Sequence, residues 1–136
     1  MPALTQDRNT KARSGDLLSL PAAAAKKFFT GALVAIDANG NATPGATATT
    51  LTGAGRCKEY VDNSDGAAGD VRVDIEKGIF QFANSADTDE ITTADIGSAC
   101  YIVDDQTVAK TDGTGTRSIA GEIFDVDAHG VWVDFR

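Results

Sequence analysis

Val71, Val73 and Ile75 alternate with Arg72, Asp74 and Glu76, which is the clearest two-residue period in the chain and predicts a strand with one wet face. A tight turn at Lys77-Gly78 then leads into a strand over residues 78–82, where Phe80 and Phe82 fall on one face. Residues 99–103 and 107–108 flank Asp104-Asp105-Gln106 and predict a hairpin. Residues 119–126 and 131–135 flank Asp127-Ala128-His129-Gly130 and predict a second, with a turn that ends in glycine. In its last strand Val131, Val133 and Phe135 share one face, and Trp132 takes the other beside Asp134.

Earlier in the chain the apolar run Ala32-Leu33-Val34-Ala35-Ile36 stops at the turn cluster Asp37-Ala38-Asn39-Gly40. Residues 41–54 are mostly Thr, Ala and Gly with a single Leu51, which predicts a surface loop with one edge strand. Residues 56–61 alternate in part and end at the turn 62–66. Residues 22–29, closed by Gly31, have the only good helix composition; eight residues make at most two turns packed on something else. Thr92-Thr93-Ala94-Asp95 has capping-box spacing and predicts a single helical turn. About eight short strands with a turn every 8–12 residues predict an all-β sandwich or barrel, with at most one short helix and no internal repeat.

Residues 1–21 read differently. Between Thr5 and Asp16 the only apolar residue is Ala12, so this stretch cannot offset its ordering entropy alone and is expected to be extended. Leu17, Leu18 and Leu20 follow as an apolar anchor that ends at Pro21. The division is thus an N-terminal arm over 1–21 and a β-rich domain over 22–136. Such an arm either docks on its own domain or orders on a neighbouring subunit.

Charge sharpens the division. The chain of 136 residues has a formal net charge of −8. Residues 1–27 nevertheless carry five basic side chains against two acidic ones, and the remainder carries seven basic against eighteen acidic. A small basic arm therefore precedes an acidic body, and an acidic body repels a phosphate backbone, which disfavours nucleic-acid binding. No apolar run approaches the ~20 residues of a membrane span, and the first twenty residues lack the apolar centre of a signal peptide; the expected compartment is a cytosol. Cys57 and Cys100, 43 residues apart and without metal-binding or redox spacing, read as two buried free thiols.

Little in the sequence resembles catalytic machinery. The single histidine, His129, sits in a predicted turn, without the oriented partner and pocket that a general base needs. No serine lies in a nucleophile-elbow pattern, and zinc would have to draw on Cys57, Cys100, His129 and acids with no usable spacing. The acidic turns fail the EF-hand pattern: for a loop starting at Asp37, Ala42 stands where glycine belongs and Ala48 where the bidentate glutamate belongs. Looser oxygen clusters remain at Asp104/Asp105 and at Asp87/Asp89/Glu90, where turn-forming acids are the plainer explanation. The expectation is a non-enzymatic protein with no cofactor and no metal. Trp132, on the face away from the core, is either a half-buried anchor under the N-terminal segment or a subunit contact.

The order of motifs resembles the small head-decoration, or capsid cement, proteins of tailed bacteriophages, particularly those of Mu-like genomes. The resemblance rests on Gly31-Ala-Leu-Val-Ala35, Val61-Asp-Asn-Ser64, Gly78-Ile-Phe80, Ala83-Asn-Ser85, Asp95-Ile-Gly97 and Cys100-Tyr101. It continues through Val103-Asp-Asp-Gln-Thr-Val108, Arg117-Ser-Ile-Ala-Gly121 and Gly130-Val-Trp-Val133, and so spans roughly residues 14–135. It implies a non-enzymatic, β-rich homo-oligomer, a trimer favoured over a dimer, that binds the major capsid protein on the outside of the head and strengthens the shell. It also implies assembly in the host bacterial cytoplasm and a final place on the virion. Under that reading Arg8, Lys11 and Arg13 are candidate capsid or subunit contacts, with Leu17, Leu18 and Leu20 as apolar pegs and Trp132 as a further contact. The rival class is a non-enzymatic β-sandwich module for carbohydrate or calcium, which would need an exposed aromatic platform or a cation site. With nine aromatics and at least five on apolar strand patterns, a platform looks poorly supplied.

Overall fold

The computed structural model describes residues 2–136, and its regular elements are nearly all strands. They are β1 (Leu17–Pro21), β2 (Lys26–Phe28), β3 (Leu33–Ile36), β4 (Ala42–Pro44), β5 (Thr52–Cys57) and β6 (Val61–Asn63). The second half adds β7 (Arg72–Glu76), β8 (Ile79–Phe82), β9 (Ala99–Ile102), β10 (Val108–Ala109), β11 (Ile119–Asp127) and β12 (Gly130–Asp134). The all-β class holds, with twelve strands where the pattern suggested about eight; the additions are β1, five residues within the stretch read as the arm, and the three-residue β2 and β6. One five-stranded sheet runs β1-β7-β5-β3-β4, a second runs β10-β9-β11-β12-β8, and β2 pairs with β6 in a short ribbon. All of these pairings are antiparallel.

Each five-stranded sheet curls until its ends meet. Ala22, just beyond β1, bridges Ala42 in β4, and Ala83, just beyond β8, bridges Thr107, just before β10. This curling buries two adjoining cores. Val34, Phe28, Cys57, Val73 and Ile75 form one, with Leu18, Leu20 and Val61 packed against it. Leu33, Ala35, Ile102, Ile123, Val131 and Val133 belong to the other, with Phe80 and Leu51 against it. Strand β3 divides the two, so consecutive residues point into different cores, which is why its sequence is apolar without alternation. The sheets come close together at Gly53, where a Cβ would lie 1.9 Å from the carbonyl oxygen of Ala120.

Both predicted hairpins are present as β9–β10 and β11–β12. The strand at 71–76 has Val73 and Ile75 buried and its charged residues toward solvent. The capping-box spacing gives a single 3-10 turn at Thr93–Asp95, with the Thr92 N–H donating to Asp95 Oδ2 at 2.8 Å. The turn at Lys77-Gly78 joins β7 in the first sheet to β8 in the second, so it carries the chain across rather than closing a hairpin. One expectation is corrected: residues 22–29 are not helical. Ala22, Ala23 and Ala25 donate their backbone N–H groups to Val71, Ala42 and Gly66, and Ala25 has a φ of 58°. These distant acceptors take the donors a helix would have used, and Lys26–Phe28 becomes β2.

Candidate functional site

Residues 2–16 are exposed throughout and form no regular element. Their few hydrogen bonds are local, such as Thr10 N–H to Arg8 O at 3.0 Å and the Ser14 hydroxyl to the Asp16 carboxylate. The first hydrogen-bonded tie to the body is at Asp16, whose carbonyl accepts the Lys77 N–H at 2.9 Å, and pairing of β1 with β7 begins one residue later. Arg8, Lys11 and Arg13 are exposed, and among the described residues none of them forms an ion pair. The free segment thus ends at residue 16, because residues 17–21 are a strand of the first sheet.

The three leucines do not act alike. Leu18 and Leu20 pack against the protein's own core, while Leu17 points outward and is 44% exposed. Antiparallel pairing forces that split, since neighbouring residues of a strand face opposite sides. Of the apolar pegs read from sequence, only Leu17 faces out of the fold; Leu4, within the free segment, is more exposed still at 72%.

Trp132 lies half-buried on the outer face of β12. Its register neighbours are Gln81 on β8 and Asp125 on β11, whereas β1 belongs to the other five-stranded sheet. The indole Nε1 donates to Asp127 Oδ2 at 2.9 Å, so the ring is clamped by its own hairpin turn. His129 occupies that turn, exposed, with its backbone N–H donating to Asp127 Oδ1.

A second aromatic surface escaped the sequence reading. Phe29 and Tyr60 flank the end of the β2–β6 ribbon, with ring centroids 5.6 Å apart and planes tilted by 44°. They are 56% and 51% exposed. Had residues 26–28 been read as a strand, the pair Phe28-Phe29 would have signalled one ring inward and one outward. Phe29 also lines a groove of about 410 Å³ with Thr30, Gly31, Ala32, Asp105 and Gln106. The groove runs between the turn after β2 and the turn of the β9–β10 hairpin.

Several other polar and sulfur groups are held by the fold. Burial pushes the Cys100 thiol up to about 12 and raises Cys57 as well; both are free, and each sits in a different core. Arg117 pairs with Asp89 at 3.3 Å and donates to Thr111 O at 3.1 Å, which ties the loop after β10 to the 3-10 turn Asp87–Asp89. Lys77 donates from Nζ to Ala54 O at 2.6 Å, and burial lowers its pKa. Among the described residues no group of three His, Cys, Asp or Glu side chains is arranged to hold a metal ion, and no helix is long and apolar enough to cross a membrane. On the surface lie a free segment with three basic and two acidic side chains, an exposed aromatic pair and an acidic body. Set beside known proteins, the chain matches no family model, no curated protein and no solved structure.

Proposed function

We propose that this chain is a non-enzymatic decoration, or cement, protein of a tailed-phage head, which binds the outer surface of the shell, bridges major capsid subunits and stabilises them. One observation carries the reading: an extended segment over residues 2–16, with Arg8, Lys11 and Arg13 against Asp7 and Asp16, makes no hydrogen bond to the body before Asp16, on a body that is acidic and closed at its sheet ends. A segment of that kind binds by ordering on a partner, and opposite charge steers it there. The order of motifs along residues 14–135 supports the same assignment.

The mechanism follows from linkage. A protein that binds only the assembled shell makes disassembly costlier by its binding free energy, and many symmetric copies multiply modest contacts. In this reading the arm, through Arg8, Lys11, Arg13 and Leu17, reaches a shell subunit or a sister protomer. The acidic body faces solvent and keeps the particle soluble. The protein is a homo-oligomer, with a trimer favoured over a dimer, and its place is the virion surface after assembly in the host cytoplasm.

The test is sedimentation of the purified protein with undecorated phage heads. Saturable co-sedimentation at a fixed copy number, absent with a charge-matched control particle, is the expected result. Protein that stays in the supernatant at all ratios would end the proposal.

A further inference from the structure

We propose that the groove between residues 29–32 and residues 105–106, with Tyr60 beside it, is a binding site for a neutral saccharide. This inference does not rest on the decoration reading.

The walls of the groove are held before any ligand arrives. The Ala32 N–H donates to Phe29 O at 3.0 Å, closing a turn that Gly31 completes with a φ of 88°. Gly31 N–H donates to Cys57 O, and Cys57 N–H returns to Ala32 O at 2.8 Å, which fixes that turn to β5. Leu33 N–H donates to Asp105 O at 2.7 Å, and Gln106 N–H to Asp104 Oδ1 at 2.9 Å, which fixes the opposite wall. Backbone groups are thus consumed in building the groove, whereas the side chains of Thr30, Asp105, Gln106 and Tyr60 make no hydrogen bond among the described residues.

The chemistry of those free groups selects the ligand. A pyranose presents one face of C–H bonds, which suits the negative face of an aromatic ring, and a rim of hydroxyls that both donate and accept. Phe29 and Tyr60 supply exposed rings. Asp105 only accepts, while Gln106, Thr30 and the Tyr60 hydroxyl do both, so a hydroxyl rim satisfies all of them. An aliphatic or aromatic occupant would cover the Asp105 carboxylate, which is otherwise open to solvent, without offering it a donor, which is costly. A phosphorylated or uronic-acid sugar would meet that carboxylate and a chain of net charge −8. A groove of about 410 Å³ lies within the usual range for small-ligand sites.

The experiment is saturation-transfer NMR on the full chain with four neutral probes: maltohexaose, cellohexaose, chitohexaose and mannohexaose, each at about 10 mM to reach weak affinities. Transfer to at least one probe is expected, with affinity falling roughly tenfold in F29A/Y60A and in D105A. All three positions lie outside both cores, and an unchanged melting temperature shows that the variants fold. A further variant, Q106A, should weaken the same probe while leaving the melt intact. Absence of transfer from all four probes overturns the site, as does binding that F29A/Y60A leaves unchanged. The same variants are then sedimented with phage heads. Loss of head binding in F29A/Y60A, with no saccharide bound by the parent chain, makes the aromatic pair a protein contact and also overturns the site. Saccharide binding by a chain that ignores heads retires the decoration reading alone.

Discussion

The indole Nε1 of Trp132 and Oδ2 of Asp127 meet at 2.9 Å, five residues apart across the turn that joins β11 to β12. The other oxygen of Asp127 accepts the N–H groups of His129 and Gly130 and the amide of Gln81. One carboxylate thereby holds the turn, the outward ring and the neighbouring strand in a single arrangement. Replacing it with alanine leaves four donors without that acceptor, so D127A should melt at lower temperature and shift Trp132 emission toward that of a solvated indole. In D127A/W132F the two effects should fall short of additive, because the residues share a contact. Additive losses in thermal melts would mean that the bond contributes nothing to the fold.

Acid stability follows from the same kind of group. The carboxyl groups of Asp16, Asp62, Asp89, Asp127 and Asp134 all lie below the ordinary carboxylate range. Side-chain hydrogen bonds from Ser14, Ser64, Thr111, Trp132 and Arg136 respectively are the main cause. A depressed pKa contributes stability that is complete above the unfolded value, about 3.9 for Asp, and is lost as pH falls through the folded value. The melting temperature should therefore show no loss from these groups between neutrality and about pH 5, then drop as the pH falls further. A drop already complete by pH 5 would mean that other groups govern the transition.

Residues with a visible period are legible from the amino-acid sequence alone. Val73 and Ile75, the β11–β12 hairpin and the outward placement of Trp132 follow from alternation, because one buried face imposes it. What alternation cannot report is which sheet a strand joins. Lys77-Gly78 has the look of a hairpin turn, yet it crosses between sheets, since the partners of β7 are β1 and β5, more than fifteen residues away. Residues 22–29 depart from expectation for a related reason: local helix composition is outweighed by acceptors at Ala42, Gly66 and Val71. A helix there would hide the Phe29–Tyr60 pair, because a ring assigned to a packed helix is not sought on the surface. Residues 2–16 lie exposed outside the sheets, as a lack of apolar residues leaves nothing to bury, whereas residues 17–21, read with the arm, are strand β1.

Gly53 tests the close approach of the two sheets. Its missing side chain leaves room for the carbonyl of Ala120, and backbone on both sides cannot move aside as a side chain can. G53A should destabilise by at least about 1–3 kcal/mol, the range for overpacking. G15A, in the free segment with nothing within 4 Å of the added carbon, should change nothing. Chemical denaturation measures both, and a G53A variant as stable as its parent would contradict the packing of β5 on β11.

The two thiols report opening of each core separately. Cys57 lies with Val34 and Ile75, Cys100 with Ile102 and Ile123, and burial holds both in the unreactive protonated form. Neither should react with iodoacetamide in the native protein, and both should react in denaturant. If the cores open independently, mass spectrometry at intermediate denaturant will find one thiol labelled before the other; simultaneous labelling indicates a single cooperative unit.

Removal of residues 2–15 separates what the arm does for the fold from what it does for a partner. The deletion stops short of Asp16, whose carbonyl accepts the Lys77 N–H, and of β1, whose Leu18 and Leu20 line a core. No buried group is lost, so the melt should shift by no more than about 0.5 kcal/mol, the usual bound for surface changes. If the decoration proposal holds, binding to undecorated heads should weaken sharply. R8E/K11E/R13E, which keeps the arm's length and reverses its charge, should reproduce most of that loss, and binding by the parent chain should weaken with added salt because exposed charges are screened. Sedimentation decides the matter: full occupancy by the truncated chain would remove the arm from the interface and leave the body's own surface to explain any binding.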